Sequence, residues 1–368
     1  MSTVLVIGSG FAGCTAALLL KAKGHRVTLI DRSPFLGGGC KTHHYGGHPY
    51  TFGPRHFLTS DENLFAFLDH YTPLRRIPEH EFLTYVEPDQ NFYHHPLHRD
   101  DLARMPEHEQ IERELDSRDS SASPTSLESY WLQSIGPTLY SKIVKTYTRK
   151  MWELEDHEDL DAGRTWPAGA AHIRTGPKAA WTESISAFPY ASNGYDDYFD
   201  KAVAGCDVHL GVSIEAFDMG RRRVRVADGW HAYDLVVSTI SPEILLNNAF
   251  GPLRWMGREL WKIVLPVAEV FPTNVYSLYY ASAEPFTRIV EYKKFYRNQS
   301  ASTLIALEIP STKNKLIPFP ARADQDMAAR YLAALPAGVF SIGRAGRYDY
   351  GVGIDASIQQ ARDLAGSI

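Results

Sequence analysis

Residues Thr3–Asp31 read TVLVIGSGFAGCTAALLLKAKGHRVTLID, and this stretch decides the fold. Thr3–Ile7 is a β-branched run that predicts a buried strand. The Ala/Leu-rich segment after Gly13 predicts a helix to about Lys23, stopped by Gly24. His25–Ile30 predicts a second strand closing on Asp31. In Gly8-Ser9-Gly10-Phe11-Ala12-Gly13 each glycine has a task. Gly8 permits the tight turn, Gly10 lets a pyrophosphate approach the backbone, and Gly13 permits close helix–strand packing. The helix then turns its positive dipole end on the phosphates, while Asp31 is placed to accept ribose hydroxyls. A GxGxxG alone is a weak signal. Strand, helix and terminal acid together predict a dinucleotide site.

Outward from this unit, Leu36-Gly37-Gly38-Gly39-Cys40 reads as a flexible loop, and Tyr50–Phe52, Phe82–Val86 and Phe92–Tyr93 as strand-like pieces. Asp100 to about Ser126 is charged and then Ser-rich, which predicts a mobile surface connection. Leu132, Ile135, Leu139, Ile143 and Tyr147 recur at helical spacing within Leu127–Trp152, and Asp196–Ala204 predicts a further helix. Val208–Leu210, Val224–Val226 and Leu235–Thr239 read as strands returning to the nucleotide-binding sheet. Val275–Tyr280, Thr287–Tyr292 and Thr303–Glu308 read as a second sheet. A strand at Val339–Ile342, then Gly343-Arg344, precedes a last helix from about Asp355.

The expected fold is α/β: a Rossmann-type parallel sheet, an inserted helical domain, and a second, mostly antiparallel sheet. The expected domains are 1–80 with 190–245 and 335–368 for the nucleotide, 100–165 for the helical insertion, and 80–100 with 166–190 and 246–334 for the substrate sheet.

At 368 residues, 44% hydrophobic and 22% charged, the chain has the composition of a globular protein of two or three domains. A net charge of -5 argues against a nucleic-acid or anionic-membrane binder. Nowhere is there a run of about 18 apolar residues to span a bilayer. Three cysteines without CxxC spacing predict no disulfide framework, and a reduced, cytoplasmic protein is expected. His43-His44, His94-His95 and His98 lack metal-ligand spacing, so no metal is expected. The acidic run Glu153-Leu154-Glu155-Asp156 reads as a solvated loop.

FAD is favoured over NAD by two features. Gly37-Gly38 follows the acid where backbone must run close to a cofactor, and the distant Gly343-Arg344 element returns to cover a flavin. Further residues then carry a family resemblance: Gly53-Pro54-Arg55-His56-Phe57-Leu58-Thr59, Gly136-Pro137-Thr138-Leu139-Tyr140, Tyr147-Thr148-Arg149-Lys150-Met151-Trp152, Phe286-Thr287-Arg288-Ile289-Val290-Glu291-Tyr292-Lys293-Lys294-Phe295, and Tyr348-Asp349-Tyr350. The chain resembles the UDP-galactopyranose mutase family over nearly all its length.

The resemblance implies an isomerase in which reduced FAD, primed by NAD(P)H, attacks the anomeric carbon through N5 and the nucleotide-sugar ring contracts. It implies a nucleotide-sugar substrate, a role in galactofuranose or cell-surface glycoside synthesis, and a homodimer. Carried over by position, Arg288, Tyr350, Arg174 and Arg55 are the expected catalytic residues. Tyr147 and Trp152 should lie near the nucleotide base, with Arg288, Tyr350 and Arg174 on the diphosphate. The expected cofactor set is Gly8, Gly10, Phe11, Ala12, Gly13, Asp31, Arg32, Gly38, Gly39, Arg55, His56, Gly343, Arg344 and Val352.

The chain also departs from the family. Arg55 and Leu58 stand at histidine positions, and Ala170-Ala171-His172-Ile173-Arg174 keeps one arginine of a pair. The tyrosine before Pro318 is absent, and Pro177–Trp181 lacks the family's Asn/Tyr/Phe pattern. A donor other than UDP-galactose is therefore expected. The alternative is an FAD-dependent, amine-oxidase-like oxidoreductase on the same fold.

Overall fold

A computed structural model describes residues 1–118, 124–155, 160 and 172–368. The opening stretch forms β1 (Thr3–Ile7), α1 (Phe11–Ala22) and β2 (Arg26–Asp31). β1 is central in a five-stranded parallel sheet, ordered Asp207–Leu210, β2, β1, Leu235–Ser238 and Val339–Ser341. Val4, Leu5 and Val6 are wholly buried, as a parallel strand covered on both faces requires. α1 packs against the helices Asp196–Val203 and Ile354–Ser367. A Cβ on Gly13 would stand 1.9 Å from the Gly8 carbonyl oxygen, so that approach admits glycine alone.

The second sheet has seven strands, ordered Ile317–Pro318, Trp255–Leu265, Thr303–Ser311, Arg288–Glu291, Val275–Tyr280, Glu81–Val86 and Asn91–His94. All pairs are antiparallel except Val275–Tyr280 with Glu81–Val86. Its register sets the site. Arg288 lies opposite Tyr279 on one neighbour and Glu308 on the other, so the three side chains stand in one row on one face.

Leu127–Leu139 opens on a reciprocal cap, in which Ser126 Oγ accepts the Ser129 N–H and Ser129 Oγ accepts the Ser126 N–H. Gly136, at φ +80°, and Pro137 kink it before the π-helical turn Tyr140–Lys145 and the helix Thr146–Trp152. Leu127, Trp131, Ile135, Leu139 and Ile143 form the buried stripe and pack with Met256 and Phe319 of the second sheet's margin. Among the described residues no helix is long and apolar enough to cross a membrane.

Three expectations are corrected. Val224–Val226 does not return to the nucleotide sheet. Arg223–Val226 is the middle strand of a separate antiparallel meander with Ala216–Asp218 and Gly229–Ala232. The two-residue Ala227-Asp228 turn before Gly229 closes a local hairpin and takes the strand first. The segment read as a mobile connection contains the helices Arg99–Leu102 and His108–Asp116, held by buried Leu102, Ile111 and Leu115. Leu36–Cys40 is a pinned turn, with the Gly37 N–H donating to Ser9 O at 2.8 Å and Gly38–Cys40 forming a 3-10 turn. The Ser-rich residues 119–123, Asp156 of the acidic run, and Ala170-Ala171 lie outside the described residues.

Candidate functional site

A cleft of about 770 Å³ runs from the end of β2 past the α1 N-terminus toward the second sheet. Gly8, Gly10, Phe11, Ala12, Asp31, Arg32, Gly38, Gly39, Arg55, Gly343, Arg344 and Val352 line it. Gly13 and His56 do not; Gly13 acts from beneath, through the packing of α1.

The walls suit a dinucleotide. Among the described residues nothing lies within 4 Å of a Cβ added to Gly10, so its face is open, and the first turn of α1 carries no acidic side chain. Asp31 does more than the sequence suggests. Its Oδ2 accepts the Ser9 N–H and the Ser9 Oγ–H, each at 2.7 Å, and its Oδ1 accepts the Ser33 N–H at 2.7 Å. A carboxylate has about four acceptor positions, so Asp31 pins the glycine turn and still has capacity for a ribose hydroxyl.

Beyond this cleft the sheet row builds a polar cluster. Arg288 Nη1 donates to Tyr279 Oη at 3.0 Å, and Nη2 donates to Glu308 Oε2 at 2.6 Å. The Arg288 side chain keeps 23% of its exposure, whereas Glu308 keeps 2%. Arg258, two positions along the strand from the Leu260 that faces Glu308, puts Nε 3.9 Å from Glu308 Oε2. Its Nη1 donates to Gly257 O at 2.8 Å, and Nη2 rests on Met151 Sδ. Two cations thus share one carboxylate, leaving an excess positive charge in a low-dielectric wall, the polarity a diphosphate needs.

Burial opposes the charge on Arg288, but Glu308 and Tyr279 outweigh it and hold its pKa well above the ordinary value. Burial pulls the Arg258 pKa down against Glu308. Burial raises the pKa of Tyr147 and of Tyr279, so both are neutral hydrogen-bonding groups at pH 7. Arg288 Nε and Glu308 Oε1 are buried without a partner among the described residues, a pattern expected of atoms waiting for a polar ligand.

The other expected residues divide. The Tyr147 ring lies 6.0 Å from the Tyr279 ring and borders a small apolar pocket with Trp131, Ile135, Ile143, Val144 and His95. Tyr350 sits between Arg344, 5.8 Å from its ring, and Trp152, 5.7 Å from it. Trp152 is 4% exposed and packs edge-on to Phe319, so it supports Tyr350 from the core side. Arg174 is not drawn into the cluster. Its guanidinium donates to Ala179 O, Ala180 O and Thr182 Oγ1 at 2.6–2.9 Å, tying down its own loop.

His56 turns away from Arg55, as neighbours in extended chain do, and stacks at 10° on Phe295 beside His80 and Trp181. Both of its ring nitrogens are buried without a partner among the described residues. Burial, with Arg288 beside it, pushes its pKa from 6.5 down to about 4. The unfolded chain therefore takes up this proton near pH 6.5, and the folded one only near pH 4. Stability contributed by neutral His56 is complete above pH 6.5 and is lost as pH falls through that window, at about 1.4 kcal/mol per unit. The urea midpoint is expected to fall between pH 6.5 and 4, less steeply in His56→Gln; equal slopes would contradict the assignment.

Glu308, Arg258 and Tyr279 were absent from the expected site. One signal pointed to the first: Glu308 is the single charge in the apolar strand TLIALEIPS, where an ionised group needs a buried partner.

Comparison with known proteins places this architecture. A family model described as UDP-galactopyranose mutase matches residues 142–350, and one described as an NAD(P)-binding Rossmann-like domain matches residues 6–71. The dTDP-fucopyranose mutase of Escherichia coli is 27% identical over 169 residues, 43% of this chain and 44% of that protein. The 1-hydroxycarotenoid 3,4-desaturase of Flavobacterium sp. (strain P99-3) is 39% identical over 57 residues, 16% of this chain and 12% of that protein. The chain thus spans less than half the length of these curated relatives. A crystal structure of reduced UDP-galactopyranose mutase superposes with a TM-score of 0.84 at 16% identity, covering 99% of this chain and 95% of that one, which establishes a shared fold. With the mutase model matched across more than half of its residues, the chain belongs to the UDP-galactopyranose mutase family.

Proposed function

We propose that this protein is a flavin-dependent isomerase that interconverts the pyranose and furanose forms of a nucleotide-activated hexose or deoxyhexose. The observation that carries the reading is the buried Arg288–Glu308–Tyr279 row, with Arg258 behind it, at the end of a dinucleotide cleft. An excess cation beside neutral tyrosines suits a sugar diphosphate, and the dTDP-fucopyranose mutase relative supports a deoxyhexose among the candidates.

FAD fits the cleft: Asp31 for the adenosine ribose, the open Gly10 for the pyrophosphate, and Gly39, Arg55 and Arg344 beyond for the ring end. Bound there in its reduced form, primed by NAD(P)H, FAD supplies a nucleophile for the anomeric carbon through its N5 atom. The chain's own residues do the rest. Arg288 is placed to hold the departing diphosphate, its fork fixed by Glu308 and Tyr279. Tyr350, propped by Trp152, offers a hydroxyl to the same phosphates. Tyr147 lies beside the base, and the apolar side chains packed behind it keep water out.

The test is calorimetry of UDP, TDP, GDP and CDP with the reduced, FAD-loaded protein. Saturable binding of a pyrimidine diphosphate is expected, with TDP tighter than UDP if the donor has shifted as the departures indicate. Binding of none of the four contradicts the reading. It favours an oxidoreductase on this fold, for which substrate-driven flavin reduction is the signature.

A further inference from the structure

Arg55 faces the cofactor cleft with no acceptor among the described residues. Its guanidinium lies against Gly39, where an added Cβ would stand 3.5 Å from Nη2. Among the described residues its buried Nε has no partner, and the side chain makes no hydrogen bond or salt bridge. Arg344 lines the same cleft, from the turn Gly343–Arg347, with Nε donating to Val352 O at 2.9 Å. Burial, and then the neighbouring Arg55, hold the Arg344 pKa below its ordinary value. Two like charges on one partly desolvated wall call for an anion between them.

Position along the cleft says which anion. Gly38, whose added Cβ would stand 3.5 Å from Gly10 Cα, borders the seat of the pyrophosphate. Gly53, two residues before Arg55, brings an added Cβ within 3.7 Å of Arg288 Nη2. Arg55 therefore stands between the pyrophosphate seat and the Arg288 cluster, where a ring joining the two has to lie.

We propose that Arg55, paired with Arg344, binds the cofactor's redox-active ring more tightly after the ring gains charge, and so raises its reduction potential. The inference rests on the flavin reading of the cleft. Hydride transfer from a nicotinamide donor moves two electrons and one proton onto the ring and leaves the donor an oxidised nicotinamide. The ring ends one negative charge richer. Arg55 interacts more favourably with that form, and the difference in binding between the two forms is by linkage the shift in potential. The pyrophosphate carries the same charge in both forms. A residue that held only the pyrophosphate would change affinity for both equally and leave the potential where it was.

The experiment is a spectroelectrochemical titration of FAD-loaded wild type, Arg55→Met and Arg55→Lys, without nucleotide sugar. In Arg55→Met the reduced-to-oxidised ratio at fixed potential is expected to fall about tenfold, about 30 mV for a two-electron couple. Arg55→Lys, which keeps the charge, is expected to retain most of the wild-type value. A methionine variant that binds FAD, even weakly, with the wild-type potential overturns the proposal and makes Arg55 a pyrophosphate ligand. Wild-type protein that stays colourless after reconstitution overturns the flavin reading and this inference together, so the two failures are distinguishable.

Discussion

Arg288→Lys is expected to lower kcat for ring interconversion by about 10²–10³-fold while FAD remains bound and the fold is kept. The lysine retains a cation for Glu308, whose carboxylate is almost entirely buried. It loses the planar fork that reaches Tyr279 and Glu308 together and still leaves Nε free for a ligand. Arg288→Ala removes turnover and also strips Glu308 of its nearest cation. Breaking a buried pair from one side costs about 3–5 kcal/mol, so this variant should also melt earlier. Chromatographic rates, flavin absorbance and thermal melts on both variants separate the two effects. Full turnover by either variant removes Arg288 from the reaction.

Gly10→Ala and Gly13→Ala are expected to fail in different ways, although both lie in the same turn. Gly10 has φ -72°, a conformation alanine adopts freely, and its Cβ would meet no atom of the described residues within 4 Å. The protein should fold normally. The new methyl then occupies the path of the pyrophosphate, and the loss of charge-assisted bonds worth about 1.5–3 kcal/mol weakens FAD about ten- to a hundredfold. Gly13→Ala drives a Cβ to 1.9 Å from the Gly8 carbonyl oxygen, so α1 must leave β1. Overpacking of this kind costs about 1–3 kcal/mol or more, and stability and FAD binding should fall together. Flavin-fluorescence titration beside thermal melting distinguishes the cases. Gly10→Ala binding FAD as the wild type does would place the cofactor elsewhere.

The contrast between those glycines marks what a sequence can carry. β1, α1 and β2 were legible because their cause is local: apolar periodicity, three glycines and an acid within one short stretch. Five strands of the second sheet were legible from their local pattern, whereas Trp255–Leu265 and Ile317–Pro318 were not read as strands. The register of the sheet was not legible, because the pairing of Arg288 with Glu308 and Tyr279 is set by long-range strand alignment and not by any neighbouring residue. Glu308 therefore looked like part of a strand and emerged as the anchor of the site. Arg174 went the other way, since the loop carbonyls of Ala179 and Ala180 that engage it have no side-chain signature. Strand-like alternation separated Arg55 from His56, one toward the cleft and one toward Phe295. Arg223–Val226 misled because a strand pattern does not say which sheet it joins.

The most direct measurement is chromatography of UDP-galactopyranose and dTDP-fucopyranose after incubation with dithionite-reduced protein and with an oxidised control. A furanose product from at least one donor, formed in the reduced sample alone, is the predicted result. Sugar left unchanged in both samples, or consumed with loss of electrons to the oxidised flavin, would contradict it.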